Sequence, residues 1–436
     1  MFLISKIMLL GLFYLFVLCQ SSIAIAAGKQ IKSMCVFGDS LSDVGNTAHL
    51  LSSLQQEESP SFLVRPLKIY VINKMRKFAA DLMIPLIILE PSVDIVTNFF
   101  DHGAAPFLAT VVNPIRLLPI LPGPPYWQWR FSNGRVWNEY LATMLDVDQE
   151  DWKSYDNQAF GASWAATYDY QLSLWNVINR PITTIKTLIV GKLIPPSLGL
   201  TVQAYLMMHE KLNKDTSYFI FSGANDYLNA LVFDDNYVPD RMNAYINNIV
   251  KDIKNNIDKL IAAGAKQLII FGIPDVGLSP KYLFTAEQSI LSAAVVQHNK
   301  KLKTLVKQLR LEAPDTNFIF IDTQKILRNV VENPRNYGFH NTTRACIDIK
   351  FDFFDHTIPS TPFINNYVLR YAQTLQATND KNFSDQNYYT CHNPENYLFW
   401  DELHPTTRAH HWLAYAICKE LKYHGIKATC KQPVPI

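Results

Sequence analysis

The chain is expected to fold as a three-layer α/β/α unit, a parallel sheet with helices on both faces. Two patterns carry this expectation. Short apolar runs rich in β-formers recur at 34–37, 217–221, 267–271 and 317–321, and turn-forming residues follow each run within a few positions. Segments with helical periodicity lie between them, at 136–145, 244–263 and 286–311. Strands that alternate with helices at this spacing pair in parallel, because a parallel pair needs a long crossover. Hydrophobic residues make up 48% of the 436, enough to bury a sizeable core.

The elements follow in order. Lys6, an apolar run over 7–19 and the small-residue end Ala24-Ile25-Ala26 form the pattern of a secretory signal peptide. Residues 1–26 are therefore expected to be removed, leaving 27–436 as one exported domain. Elsewhere no uncharged apolar stretch reaches the roughly 18 residues that span a bilayer. The first buried strand, 34–37, breaks at Gly38-Asp39-Ser40, and a helix is expected from Asn46 through the low fifties. The stretch 60–120 is rich in Pro and large apolar residues and is read as an insertion, either a lid or a lipid-contacting surface, or a subdomain packed on itself. Aromatic residues crowd 163–200, closed by Pro195-Pro196. The helix over 244–263 stops at Gly264, a suitable C-cap, and a last helix is expected over 406–421.

Three stretches carry chemistry. A Ser just past the carboxyl end of a buried strand sits where open α/β sheets place their ligands, which singles out Ser40. Asp39 and Ser40 also suit a simple helix N-cap. Asp401 and His404 lie three apart, a spacing that puts both on one face of a helical turn. There a carboxylate can hold an imidazole in the tautomer that takes a proton from a hydroxyl. The strand 217–221 ends at Ser222-Gly223-Ala224-Asn225-Asp226, where the Asn225 amide is well placed to donate to an oxyanion at any working pH.

Gly38-Asp39-Ser40-Leu41, Gly161 within 157–162, Gly223-Ala224-Asn225-Asp226 and Asp401-Glu402-Leu403-His404-Pro405 together resemble the four ordered blocks of the GDSL (SGNH) esterase and lipase family. The resemblance implies a flavodoxin-like sheet of about five parallel strands. It implies Ser40 as nucleophile, His404 as base and Asp401 as its orienter, with Ser40, Gly161 and Asn225 forming the oxyanion hole. Of the family's branches, the pattern is most like secreted bacterial phospholipase A, lysophospholipase and glycerophospholipid:cholesterol acyltransferase. The expected partners are thus a phospholipid or lysophospholipid, cholesterol as acyl acceptor, and transient contact with a membrane surface. Carboxylesters outside the lipids are the alternative substrates. A non-catalytic surface-binding module is disfavoured, since a binder has no need of all five residues.

Composition bounds the rest. Lys+Arg at 40 against Asp+Glu at 38 offers no excess charge for nucleic acid. Beyond the signal peptide, the cysteines are Cys35, Cys346, Cys391, Cys418 and Cys430, an odd number that leaves at least one unpaired. Cys35, inside the first strand, is read as a small buried hydrophobe, and Cys346 is paired with Cys391 and Cys418 with Cys430. No C-x-x-C pair occurs, and the run Asp401, His404, His410, His411 matches no zinc spacing, so no metal or other cofactor is expected. No G-x-S-x-G elbow occurs either, so the α/β-hydrolase route to the same chemistry is not expected.

Overall fold

The computed structural model describes residues 29–56, parts of 68–102, 120–166, 196–209, 211–233, 239–349 and 388–434. Five strands form the central sheet: β1 Ser33–Gly38, β2 Tyr155–Asn157, β3 Thr216–Phe221, β4 Gln267–Phe271 and β5 Asn317–Ile321. All neighbours are parallel, in the order β2-β1-β3-β4-β5. This is the flavodoxin-type order, whose direction reverses at β1, and such sheets bind ligands outside the carboxyl ends of their strands at that reversal. β1 and β3 pair in register from Ser33 with Thr216 to Gly38 with Phe221. The loops that follow β1 and β3 therefore emerge side by side.

Among the described residues the helices are α1 Asn46–Gln56, α2 Leu86–His102, α3 Trp137–Leu145, α4 Leu198–Met208, α5 Ala224–Phe233, α6 Pro239–Ala262, α7 Gln288–Glu312, α8 Thr323–Glu332 and α9 Thr407–Tyr423. Side chains alternate along each strand, so each strand feeds two cores. Cys35, Phe37, Tyr218, Ile220, Leu268 and Ile270 face α4, α6 and α7. Met34, Val36, Phe219, Phe221, Ile269 and Phe271 face α3 and α9. Near-continuous apolar strands are what burial on both faces demands. Trp137 closes the second core, its ring 4.9 Å from Phe271 and its indole N–H donating to Ser42 Oγ at 3.0 Å.

Some elements lie beyond the periodicity of the sequence. The edge strand β2 has three half-buried residues and a central Asp156, so no apolar run announces it. α4 buries Leu198, Thr201, Val202 and Tyr205 at helical spacing, but Met207 and Met208 on its solvent side are apolar too, which hides the stripe. α6 begins at Pro239, earlier than the expected 244, because Pro is tolerated in a first turn. Of the proposed insertion 60–120, α2 is described, with Pro91 inside it, and most of the remainder lies outside the described residues. The expected signal peptide 1–26 and most of the aromatic stretch 163–200 also lie outside them.

The cysteines are bonded as Cys346–Cys391 and Cys418–Cys430, with Cα separations of 4.9 and 5.6 Å, and Cys35 is a free thiol buried in β1. The second bridge ties α9 to the segment after it. The first joins two short stretches, Ile347–Ile349 and Tyr388–Thr390, that pair antiparallel. Among the described residues no helix is long and apolar enough to cross a membrane.

Candidate active site

The turn after β1 leaves no choice at Gly38. A Cβ there would lie 2.8 Å from Ser42 Oγ and 2.9 Å from the Phe221 carbonyl. The Ser42 N–H donates to the Asp39 carbonyl at 2.9 Å, and the Leu41 N–H to Asp39 Oδ1 at 3.1 Å, which lifts Ser40 out of the strand end. Asp43 then welds this turn to its neighbours. Its Oδ1 accepts from the N–H groups of Gly45 and Asn46 at 2.8 and 2.7 Å, and its Oδ2 accepts from Thr47 Oγ1 and the Gly161 N–H.

His404 arrives from the far end of the chain, on a loop rather than on the helical turn its spacing with Asp401 suggests. Asp401 itself folds the loop: its Oδ1 accepts from the N–H groups of Leu403 and His404 at 2.7 and 2.6 Å. The Trp400 N–H donates to the His404 carbonyl at 2.7 Å, and α9 starts only at Thr407, capped by Thr406. A carboxylate that accepts from backbone two and three residues on makes a turn without any helix. Asp401 Oδ2 remains for His404 Nδ1, at 2.6 Å, and His404 Nε2 lies 2.9 Å from Ser40 Oγ. Ser40, Asp401 and His404 are 7, 5 and 4% exposed. In this geometry a proton on Nδ1 would face Asp401 and the Nε2 lone pair would face the Ser40 hydroxyl, the arrangement by which an imidazole can take a proton from a serine.

Two carboxyls here are tuned in opposite directions. Burial works to raise Asp401, but the His404 ring, the Tyr126 hydroxyl and the His404 N–H outweigh it and hold the group below the usual carboxylate range. Asp39 has less support. Burial pushes it up to about 7 against the Leu41 N–H and His404, Asp226 adds to the rise, and its Oδ2 has no hydrogen-bond partner among the described residues. Between about pH 4 and 7 the folded chain therefore holds a proton on Asp39 that the unfolded chain has lost, so this group subtracts stability as pH rises. Asp39→Asn is expected to gain on the wild type, by on the order of 4 kcal/mol between pH 4 and 8. Urea midpoints of both proteins at the two pH values check this, and parallel curves would contradict it.

Gly161, expected in the oxyanion hole, turns its N–H toward the scaffold. Its N–H donates to Asp43 Oδ2 at 2.9 Å and to Thr47 Oγ1 at 2.7 Å, so it is spent within the scaffold. The missing side chain makes room instead for Phe131, whose ring would lie 2.4 Å from a Cβ. Phe131 in turn packs against the His404 imidazole with centroids 5.2 Å apart. The next residue, Ala162, takes a left-handed φ of 59°, and its N–H makes no hydrogen bond to the described residues. On the other side, Gly223 with φ 125° turns β3 into α5, and the Asn225 side chain donates to the Ser163 carbonyl at 2.9 Å. Asp226 accepts from the N–H groups of Ala165 and Ala166, which locks the Gly161 and Asn225 loops together.

Ser40, Gly161, Ala162, Asn225 and His404 line one cavity of about 180 Å³ across the strand ends. Most of its other lining residues are apolar, among them Leu51, Phe131, Val330 and Trp412, with polar exceptions that include Thr47, Asp275, Ser279 and Thr323. His410 and His411 do not join His404. Burial, with a smaller effect of His404, pushes His410 down to about 3, and His411 stacks on Tyr140 at 4.3 Å and bonds the Lys431 carbonyl. Tyr126, Phe131, Asp43 and Ala162 are the site residues that sequence reasoning missed. For Asp43 and Ala162 a signal existed, since they stand within the same short blocks as Ser40 and Gly161; for Tyr126 none did.

The GDSL-like Lipase/Acylhydrolase family matches residues 34–417. The chain is 24% identical to a phosphatidylcholine-sterol acyltransferase of Aeromonas hydrophila over 66% of its own length and 78% of the relative's. It is 23% identical to a thermolabile hemolysin of Vibrio parahaemolyticus, over 67% and 56%, and 26% identical to a GDSL esterase/lipase of Arabidopsis thaliana, over 46% and 51%. The chain thus spans little more than half of the latter two. A family match over residues 34–417, on a chain with a central sheet of five parallel strands, leads to one conclusion: the chain belongs to the GDSL-like lipase/acylhydrolases, and with them to the serine ester hydrolases.

Proposed function

We propose that the chain cleaves acyl esters of phospholipids and lysophospholipids and passes the acyl group from Ser40 either to water or to a sterol hydroxyl such as that of cholesterol. Ser40 Oγ attacks the ester carbonyl while His404 Nε2 takes its proton, and Asp401 stabilises the imidazolium. The tetrahedral oxygen accepts from the Ser40 N–H, the Asn225 amide and, in the place expected of Gly161, the Ala162 N–H. As the intermediate collapses, His404 returns the proton to the leaving alcohol and an acyl-serine remains. Water or the sterol hydroxyl then gives its proton to His404 as it attacks the acyl carbon, and His404 passes that proton to Ser40 Oγ as the serine leaves.

The observation that carries this reading is the 2.9 Å contact between Ser40 Oγ and His404 Nε2 at the edge of an apolar cavity. Such a cavity suits a hydrocarbon chain better than a sugar. The insertion 60–120 supports a lipid-facing role, since Met83 and Ile87 within it are 92 and 83% exposed. Residues 1–26 are proposed as an export signal, and the two bridges fit an oxidising compartment. The test is product analysis on phosphatidylcholine vesicles with and without cholesterol. Fatty acid and lysolipid are expected from both, with cholesteryl ester added where cholesterol is present and none of the three formed by Ser40→Ala. Turnover confined to short soluble esters would favour a carboxylesterase of non-lipid substrates.

A further inference from the structure

We infer that Tyr126 is a positioning residue of the catalytic site, a phenol that holds Asp401 against His404 from the side away from substrate. The inference rests on the proposed roles of Ser40, His404 and Asp401. Asp401 is almost wholly buried, and both of its oxygens carry two donors. Oδ1 takes the N–H groups of Leu403 and His404, and Oδ2 takes His404 Nδ1 and the Tyr126 hydroxyl, each at 2.6 Å. A carboxylate can accept about four such bonds, so the phenol completes the set. It is also the only one of the four donors that does not come from residues 403–404.

The segment bearing Tyr126 is built to keep it there. The Tyr126 N–H donates to the Gly123 carbonyl, the Trp127 N–H to the Ser132 carbonyl and the Arg130 N–H to the Trp127 carbonyl. Arg130 is anchored on Glu139 of α3 at 2.8 Å. The Tyr126 ring lies edge-on to Phe131 and Trp400, with centroids 6.4 and 6.5 Å away. From the same segment Phe131 backs the His404 ring and Ser132 Oγ donates to the Pro405 carbonyl at 2.8 Å. One stretch of chain thus touches Asp401, His404 and Pro405.

Without the hydroxyl, Asp401 keeps its turn but loses the donor that fixes the plane of Oδ2 toward Nδ1. The imidazole is then held less well in the orientation that accepts from Ser40. A charge-assisted bond of this kind predicts a fall in kcat on the order of tenfold. Because Tyr126 stands behind the triad, KM should stay within about twofold, the signature of an interaction that matters in the transition state.

The experiment is Tyr126→Phe, which keeps the ring packing, with kcat and KM measured on a soluble short-chain ester. Rates are divided by the number of sites titrated with a fluorophosphonate, so misfolded protein does not count. Fluorinated tyrosines at position 126 serve as a second set, since they change the strength of the donor while nearly preserving shape. The inference expects reduced kcat per site in Tyr126→Phe, unchanged KM, and a kcat that varies with phenol acidity in the fluorinated series. Wild-type kcat per titrated site in Tyr126→Phe, or a kcat indifferent to fluorination, overturns it. Ser40→Ala run alongside separates the two layers: activity surviving there defeats the proposed function, whereas a dead Ser40→Ala beside a normal Tyr126→Phe defeats only the role of the phenol.

Discussion

Ser40→Ala is expected to lower kcat for ester hydrolysis by on the order of a millionfold, the size of loss seen when the nucleophile of a serine triad is removed. Only one oxygen is deleted. It lies 2.9 Å from His404 Nε2, where the proton transfer that starts the reaction is proposed. A neutral hydroxyl at a turn contributes little to folding, so the thermal midpoint should move by no more than a few degrees. The variant should also escape labelling by a fluorophosphonate. Substantial turnover by folded, purified Ser40→Ala would mean that the acyl group is carried elsewhere, or not carried at all.

Removing the Cys346–Cys391 bridge is expected to cost the most stability of any change considered. The bridge closes a separation of 45 residues, which on the chain-entropy account corresponds to about 4 kcal/mol, against about 3 kcal/mol for the 12 between Cys418 and Cys430. For a chain of this length the midpoint should fall by roughly 5 °C in Cys346→Ser/Cys391→Ser. Activity should fall at a lower temperature than the global unfolding signal. The reason is local: the Cys346 N–H donates to the Phe399 carbonyl and the Ile347 N–H to the Trp400 carbonyl, directly ahead of Asp401. Those bonds hold the loop that presents His404, and the bridge holds them. Differential scanning calorimetry beside residual activity measures both effects. A double variant with the wild-type midpoint and the wild-type temperature profile of activity would show that the bridge supports neither.

The neighbouring residues show why some of this site could be seen early and some could not. Ser40 stands in a block where an apolar run meets Gly38, and Asn225 in one where another meets Gly223. Both signals are local, because a strand end and a tight turn are written in adjacent residues. Gly161 was equally visible as a glycine, yet its purpose was not. Only the arrival of Phe131 on one side and Asp43 on the other shows that it makes room for a ring and gives its N–H to a carboxylate. Asp401 and His404 were adjacent enough to pair on paper, but the loop that joins them is folded by the Asp401 carboxylate, not by helical hydrogen bonds.

By itself the sequence determined the alternation of strands and helices, the four longer strands, the ordered catalytic blocks and the five cysteines available for bridging. These follow from short-range pattern, because burial on both faces of a strand and the turn after it leave their mark within a few positions. Only the tertiary structure decided that β2 completes the sheet, that the Gly161 N–H is spent in the scaffold, and that Tyr126 reaches Asp401 across 275 positions, as Ser40 reaches His404 across 364. Such contacts are set by which loops the parallel register brings to the same edge, and no local pattern of residues encodes the identity of an atom that arrives from the other end of the chain.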